Sequence, residues 1–254
     1  MDILHFSVLI LFLAFLCEYI DSSLGMGYGT TLTPLLLIMG YNPLQIVPAI
    51  LLSELFSGLS AAFFHHKFKN VNFKIGGSDF KIAVVMAGCS VFGVLSAVFI
   101  ALKLPSFFLK LYIGILVFSM GVLILVTINR KFKFSWKKIT SLGLLAAFNK
   151  GISGGGYGPI VTSGQILSGV ESKNAIGITS LAEGVTCLVG VITYLIYTNH
   201  TIDWGLAPSL VLGAILSVPV AAYTVKKFKG ERLRLIVGVA TLILGLITLG
   251  KLFL

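Results

Sequence analysis

Acidic residues are scarce in this chain: nine Asp and Glu stand against 19 Lys and Arg, and charged residues of both signs make up only 11% of 254 residues. A soluble domain carries about 25% charged residues, so an ordinary soluble enzyme is excluded. Cysteine is nearly missing as well. Cys17, Cys89 and Cys187 stand singly in apolar runs, with no CxxC pair and no metal-ligand spacing. That excludes a secreted disulfide scaffold and reads as packing. HExxH and dinucleotide-binding patterns are absent too, so no enzymatic activity, metal or cofactor is expected. What is abundant is apolar: 57% of residues are hydrophobic, and the mean hydropathy is +1.01. This is the composition of an all-α polytopic membrane protein. At roughly 20 residues per span, residues 1–254 form a single membrane domain with no room for a soluble one.

The net charge of +10 does not point to nucleic acid, because of where it lies. Lys67, Lys69, Lys74 and Lys81 share one loop. Arg130, Lys131, Lys133, Lys137 and Lys138 share a second, and Lys226, Lys227, Lys229, Arg232 and Arg234 a third. Basic loops between apolar runs are positive-inside signals beside anionic lipid. Loops 65–81, 129–138 and 226–232 are therefore expected in the cytoplasm. The N-terminal apolar run lacks a basic start and a small-residue cleavage site, so it is expected to stay as the first helix rather than leave as a signal peptide.

Apolar runs at 44–64, 82–102, 107–127, 174–198, 206–225 and 233–252 are long enough to cross a bilayer, and 3–20 just reaches. Runs 30–40, 139–149 and 159–170 are too short. The short runs flank two glycine-rich breaks, Ser22-Ser23-Leu24-Gly25-Met26-Gly27-Tyr28-Gly29 and Gly151-Ile152-Ser153-Gly154-Gly155-Gly156-Tyr157-Gly158-Pro159. A gapless shift of 129 residues superposes them, pairing Gly25, Gly27, Tyr28 and Gly29 with Gly154, Gly156, Tyr157 and Gly158, and later Glu54 with Glu183. The chain reads as a tandem duplication: repeat 1 over 1–128, a basic linker at 129–138, and repeat 2 over 139–254. Keeping all three basic loops on one side requires 3–40 and 139–170 to enter and return as broken-helix hairpins. Each half is then one hairpin plus three transmembrane helices. Three is odd, so the repeats are inverted.

Irregular backbone survives at membrane depth only beside protein or a polar cavity, and equivalent breaks in inverted halves mark transporter substrate sites. Close helix packing is the other use of such glycines. Helices beginning after the breaks, near Gly29-Thr30-Thr31 and Gly158-Pro159, would turn free N–H groups and positive dipole ends toward an anion. The substrate-binding candidates are Ser22, Ser23, Gly25, Gly27, Tyr28, Gly29 and Thr30 in the first half. In the second they are Asn149, Lys150, Ser153, Gly154, Gly156, Tyr157 and Gly158. Thr31, Thr162 and Gln165 are further polar groups for the same cavity. Tyr28 and Tyr157 line or gate it; each hydroxyl is otherwise a backbone cap.

Lys150 aligns with Asp21. Charge at membrane depth is costly and usually functional, so Lys150 is either an anion ligand with Asp21 as its counter-charge or half of a structural ion pair. Glu54 and Glu183 are either proton carriers, since burial disfavours the charged form, or supports for the hairpins. Glu18 aligns with Ala147, which excludes a symmetric role. His65 and His66, beside Lys67, read as interfacial.

The paired motifs Asp21–Gly29 and Gly151–Pro159, each followed by a short helix, resemble the TauE/SafE family of sulfite exporters and organosulfonate permeases over essentially the whole chain. The resemblance implies a permease in a prokaryotic inner membrane, moving sulfite, a sulfonate or a related small oxyanion by alternating access, with protons as a coupling ion. The partners implied are a small anion, membrane lipid, protons and a second copy in a homodimer, with no nucleic acid. Two other readings compete. A non-transporting scaffold or assembly factor would show no saturable flux. A cation channel would use Gly27-Tyr28-Gly29 as a filter, yet a filter needs four parallel loops.

Overall fold

Proline and glycine punctuate the chain where its helices begin and end. In the computed structural model, residues 8–25, 27–127, 135–197, 202–227 and 231–253 are described, the side chains at 231–234, 236, 237 and 253 excepted. Met26, Arg130, Lys131, Lys133 and Lys229, and the side chains of Arg232 and Arg234, fall outside that description.

The described residues form ten helices and no strand. They are α1 (Val8–Leu24), α2 (Tyr28–Ile38), α3 (Pro43–Lys67), α4 (Ser78–Lys103), α5 (Ser106–Thr127), α6 (Trp136–Ser153), α7 (Tyr157–Leu167), α8 (Ser172–Tyr197), α9 (Ala207–Lys227) and α10 (Glu231–Phe253). The signals that start α3 are local. Asn42 is its N-cap, Pro43 pre-sets the first turn, and Gln45 closes a capping box with Asn42. Five helices, α3, α4, α5, α8 and α9, are long and apolar enough to cross a membrane, and the described apolar part of α10 is Gly238–Leu252. Their outer faces carry large apolar side chains: Phe63 is 61% exposed, Phe92 73% and Ile196 68%. Such a surface suits lipid, not water.

Both expected breaks interrupt helices, α1 from α2 at 25–27 and α6 from α7 at 154–156. Two boundaries differ from the sequence reading. Helix α6 spans Trp136–Ser153 rather than 139–149, because the polar run Asn149-Lys150 finds buried partners and needs no loop. The last three residues of the 129–138 linker are thereby helical. Likewise the 65–81 loop shrinks to 68–77. Asn70 ties it down, donating to the Ala222 carbonyl of α9 at 2.8 Å.

The largest helix contacts pair across the chain. Helix α1 lies on α9 as α6 lies on α4, and α3 lies on α9 as α8 lies on α4; α3 meets α8 and α5 meets α10 at the centre of the exchange. The described basic ends gather on one face. Lys173 Nζ donates to the Lys226 carbonyl at 3.3 Å, and Trp136 lies beside Gly76 and Lys81. The far face carries the Gln45–Asp203 bond, 3.1 Å, and Lys251 Nζ donating to the Ile38 carbonyl at 3.1 Å.

Candidate functional site

The two breaks touch inside the bundle, backbone to backbone. A Cβ on Gly29 would run into the Gly154 carbonyl, and one on Gly155 would lie 2.8 Å from Gly29 C and Thr30 N. Glycine is required there by proximity. It is required by conformation at Gly25 (φ 68°) and Gly156 (φ 79°), where a side chain would be strained.

Hydroxyls stitch the breaks together. Thr33 donates to the Ser153 carbonyl at 3.0 Å, its counterpart Thr162 donates to the Gly25 carbonyl at 2.6 Å, and Gly156 N–H donates to Thr30 Oγ1 at 3.0 Å. Ser153 Oγ donates to the Asn149 carbonyl at 2.7 Å and accepts from Gly155 N–H at 3.1 Å. Thr30, Ser153 and Thr162 are therefore caps of irregular backbone, the bland alternative for each. Gln165 Nε2 donates to Thr179 Oγ1 of α8 at 3.0 Å, which ties α7 to α8. Tyr28 and Tyr157 are fully buried. The Tyr28 hydroxyl lies 2.7 Å from Ser53 Oγ, so this ring props α2 against α3 and does not line an open path. Ser23 is buried, and among the described residues nothing bonds its hydroxyl.

Charge concentrates beside this contact. Lys150, fully buried on α6, makes ion pairs with Glu54 of α3 and with Glu183 of α8, the latter at 2.7 Å. Asp21 of α1 completes the group: carboxylate oxygens of Asp21, Glu54 and Glu183 all lie within 4.8 Å of one another. The ion pair foreseen between Lys150 and Asp21 is thus corrected. The two glutamates hold Lys150, and Asp21 lies beside their carboxylates. Among the described residues, the glutamates hold the hairpin's lysine rather than its backbone.

Two groups escaped the sequence reading. Glu18 is buried, its carboxylate accepting from Ser22 Oγ at 2.6 Å and Ser57 Oγ at 3.0 Å. His65 is not interfacial. It is fully buried, with Nε2 donating to the Ser22 carbonyl at 2.9 Å and Nδ1 accepting from Asn70 at 3.1 Å. The signal was present: the same shift of 129 residues pairs His65 with Tyr194 and Ser22 with Gly151. Tyr194 donates to the Gly151 carbonyl at 3.0 Å. Each side chain satisfies a carbonyl near the end of a broken helix, where backbone partners run out. His66 is exposed as expected.

Asn149 lies at the foot of a cleft between α5, α6 and α7, accepting from the Tyr112 hydroxyl at 2.5 Å. The cluster can thus hold charge inside the bundle, and a cleft reaches the residue beside it.

A family model described as sulfite exporter TauE/SafE matches residues 10–248. The probable membrane transporter protein YtnM of Bacillus subtilis (strain 168) is 29% identical over 239 residues, covering 89% of this chain and 77% of that protein. With a match that runs from α1 to α10, the chain belongs to the TauE/SafE family of multi-pass membrane transporters.

Proposed function

We propose that this protein is a permease for a small sulfur oxyanion, sulfite or a sulfonate, which it carries together with protons by alternating access. The observation that carries the reading is the charge of the buried cluster: one lysine faces three carboxylates. Fully ionised, that group would be doubly negative at membrane depth. Each uncompensated charge there costs several kcal/mol, and a further anion would be repelled. Protons on the carboxylates remove both penalties. Anion and proton uptake are then linked with one sign: affinity for the anion rises as pH falls, about tenfold per pH unit for each proton taken up.

The packing supports two inverted repeats as the moving parts. The α1–α9 and α3–α9 contacts have counterparts in α6–α4 and α8–α4, and two near-equivalent halves supply two near-equivalent end states. With positive loops inside, the basic face lies in the cytoplasm of a prokaryotic cell and the membrane is its inner membrane. The relative's name speaks for transport rather than for a scaffold.

Flux in proteoliposomes tests this. Sulfite, sulfate, thiosulfate, sulfoacetate and potassium are each offered with and without a pH gradient. Saturable uptake of one sulfur oxyanion, faster from the acidic side, is the expected result. Potassium flux alone would support a channel, and no flux of any of the five would support a scaffold.

A further inference from the structure

The two halves carry a cleft in equivalent places, and the clefts differ. Between α5, α6 and α7 the cleft measures about 770 Å³ and runs from Lys137 and Lys138 on the basic face to Asn149, one residue from Lys150. Shifted by one repeat, Ser119, Leu123 and Leu167 of this cleft become Thr248, Leu252 and Ile38. These three line an opening of about 100 Å³ between α2 and α10 on the far face. There Lys251 Nζ bonds the Ile38 carbonyl at 3.1 Å, tying α10 to α2.

The sequence follows the same division. Within a mostly apolar lining, the polar residues that α6, α7 and the end of α7 bring to the large cleft are Lys137, Lys138, Ser141, Asn149, Ser163 and Ser168. One repeat earlier these positions read Val8, Leu9, Phe12, Ile20, Pro34 and Met39, all apolar. Ile20 packs with Leu24 and Ile124 in an apolar cluster, where Asn149 meets Tyr112. A surface meant for lipid has no use for a polar stripe at depth, and a liquid-water share of about 30 Å³ per molecule makes the large cleft far roomier than one oxyanion.

We propose that the α5–α6–α7 cleft is a water-filled vestibule, open to the basic face only. In it, Lys137 and Lys138 collect the small oxyanion, and Ser141 and Ser163 bind it in transit. The Tyr112–Asn149 hydrogen bond is the inner door before Lys150. This rests on the transport reading above for the identity of the anion, but not for the existence of the vestibule. The far-face opening is the same device closed, with Lys251 and Ile38 as its latch.

Thiol labelling in oriented membrane vesicles tests it, in a Cys89→Ser background because Cys89 is half-exposed. Ser141→Cys and Ser163→Cys are offered anionic and cationic membrane-impermeant thiosulfonates from either side. Phe12→Cys, the equivalent of Ser141, is the control. The expected result is labelling of both serine positions from the basic face alone, Ser141→Cys faster. The anionic reagent should be preferred by roughly tenfold, as for a cleft lined by opposite charge. Adding Lys137→Ala and Lys138→Ala should remove that preference, and Phe12→Cys should stay unlabelled from both sides. Thiosulfate or sulfoacetate should slow labelling of Ser163→Cys. Absence of labelling from the basic face would mean a cleft filled by lipid and would overturn the proposal, as would equal labelling from both faces. A labelled cleft in a protein that moves none of the panel anions would overturn the transport reading and leave the vestibule standing.

Discussion

The first and second broken helices share one geometry and differ in charge. Both end where a side chain from the next long helix, His65 or Tyr194, bonds a carbonyl of the broken helix. Both are stitched by a threonine, Thr33 or Thr162, to the opposite break. Yet at one equivalent position the first half has Asp21 and the second Lys150, and before them stand Ile20 and Asn149. Residues shared by the two breaks build the contact between them, and residues that differ give the cluster its charge.

That comparison can be broken most severely where the halves touch. Gly29→Val should abolish flux while membrane insertion persists, because its side chain would occupy the Gly154 carbonyl. Gly88→Ala, which meets no neighbour, should transport as wild type. Flux assays on equal amounts of membrane-inserted protein decide it. If Gly29→Val transports normally, the contact is not part of the site.

The next largest effect is on Lys150. Lys150→Met leaves Glu54 and Glu183 buried without their cation, a loss of about 3–5 kcal/mol that should appear as a lower melting temperature in detergent. Adding Glu183→Gln removes one of the stranded charges and should recover part of it. Additive losses instead of recovery would mean that the ion pair is not what the lysine contributes.

The carboxylates sharpen the comparison in a third way. Glu54→Gln and Glu183→Gln occupy equivalent positions, and each should flatten the pH dependence of uptake by about one proton's worth, up to tenfold per pH unit. A loss in only one variant would assign the coupling proton to one half. A loss in neither would return both glutamates to a structural role.

Smallest is the pair of carbonyl partners. His65→Ala strands the Ser22 carbonyl and should cost about 1–3 kcal/mol; Tyr194→Phe removes one hydroxyl from Gly151 and should cost about 1 kcal/mol. Thermal unfolding measures both. Equal, negligible losses would mean that water replaces these partners.

Much of this was legible in the sequence, for identifiable reasons. Gly-Tyr-Gly and the glutamates Glu54 and Glu183 recur 129 residues apart, and that recurrence pointed to where the breaks touch and where the charge is buried. Helix length and hydropathy located the long spans. Other features were hidden because they depend on which helices face each other. The 129-residue shift aligned Lys150 with Asp21 and suggested a pair, but the fold hands the lysine to the glutamates and sets Asp21 beside them. His65 looked interfacial because of Lys67 beside it, although its register on α3 turns it inward toward Ser22. The cleft was invisible for the opposite reason: Ser141 and Ser163 are ordinary residues until α5 leaves a gap in front of them.

The most direct test of the central claim is the proton that accompanies the anion. Proteoliposomes holding a pH-reporting dye, with equal pH on both sides, are given an inward gradient of thiosulfate or sulfoacetate, whichever the flux assay shows to move. The account predicts lumenal acidification that tracks anion uptake and disappears in Glu54→Gln/Glu183→Gln. Uptake with no pH change, or with alkalinisation, would contradict it.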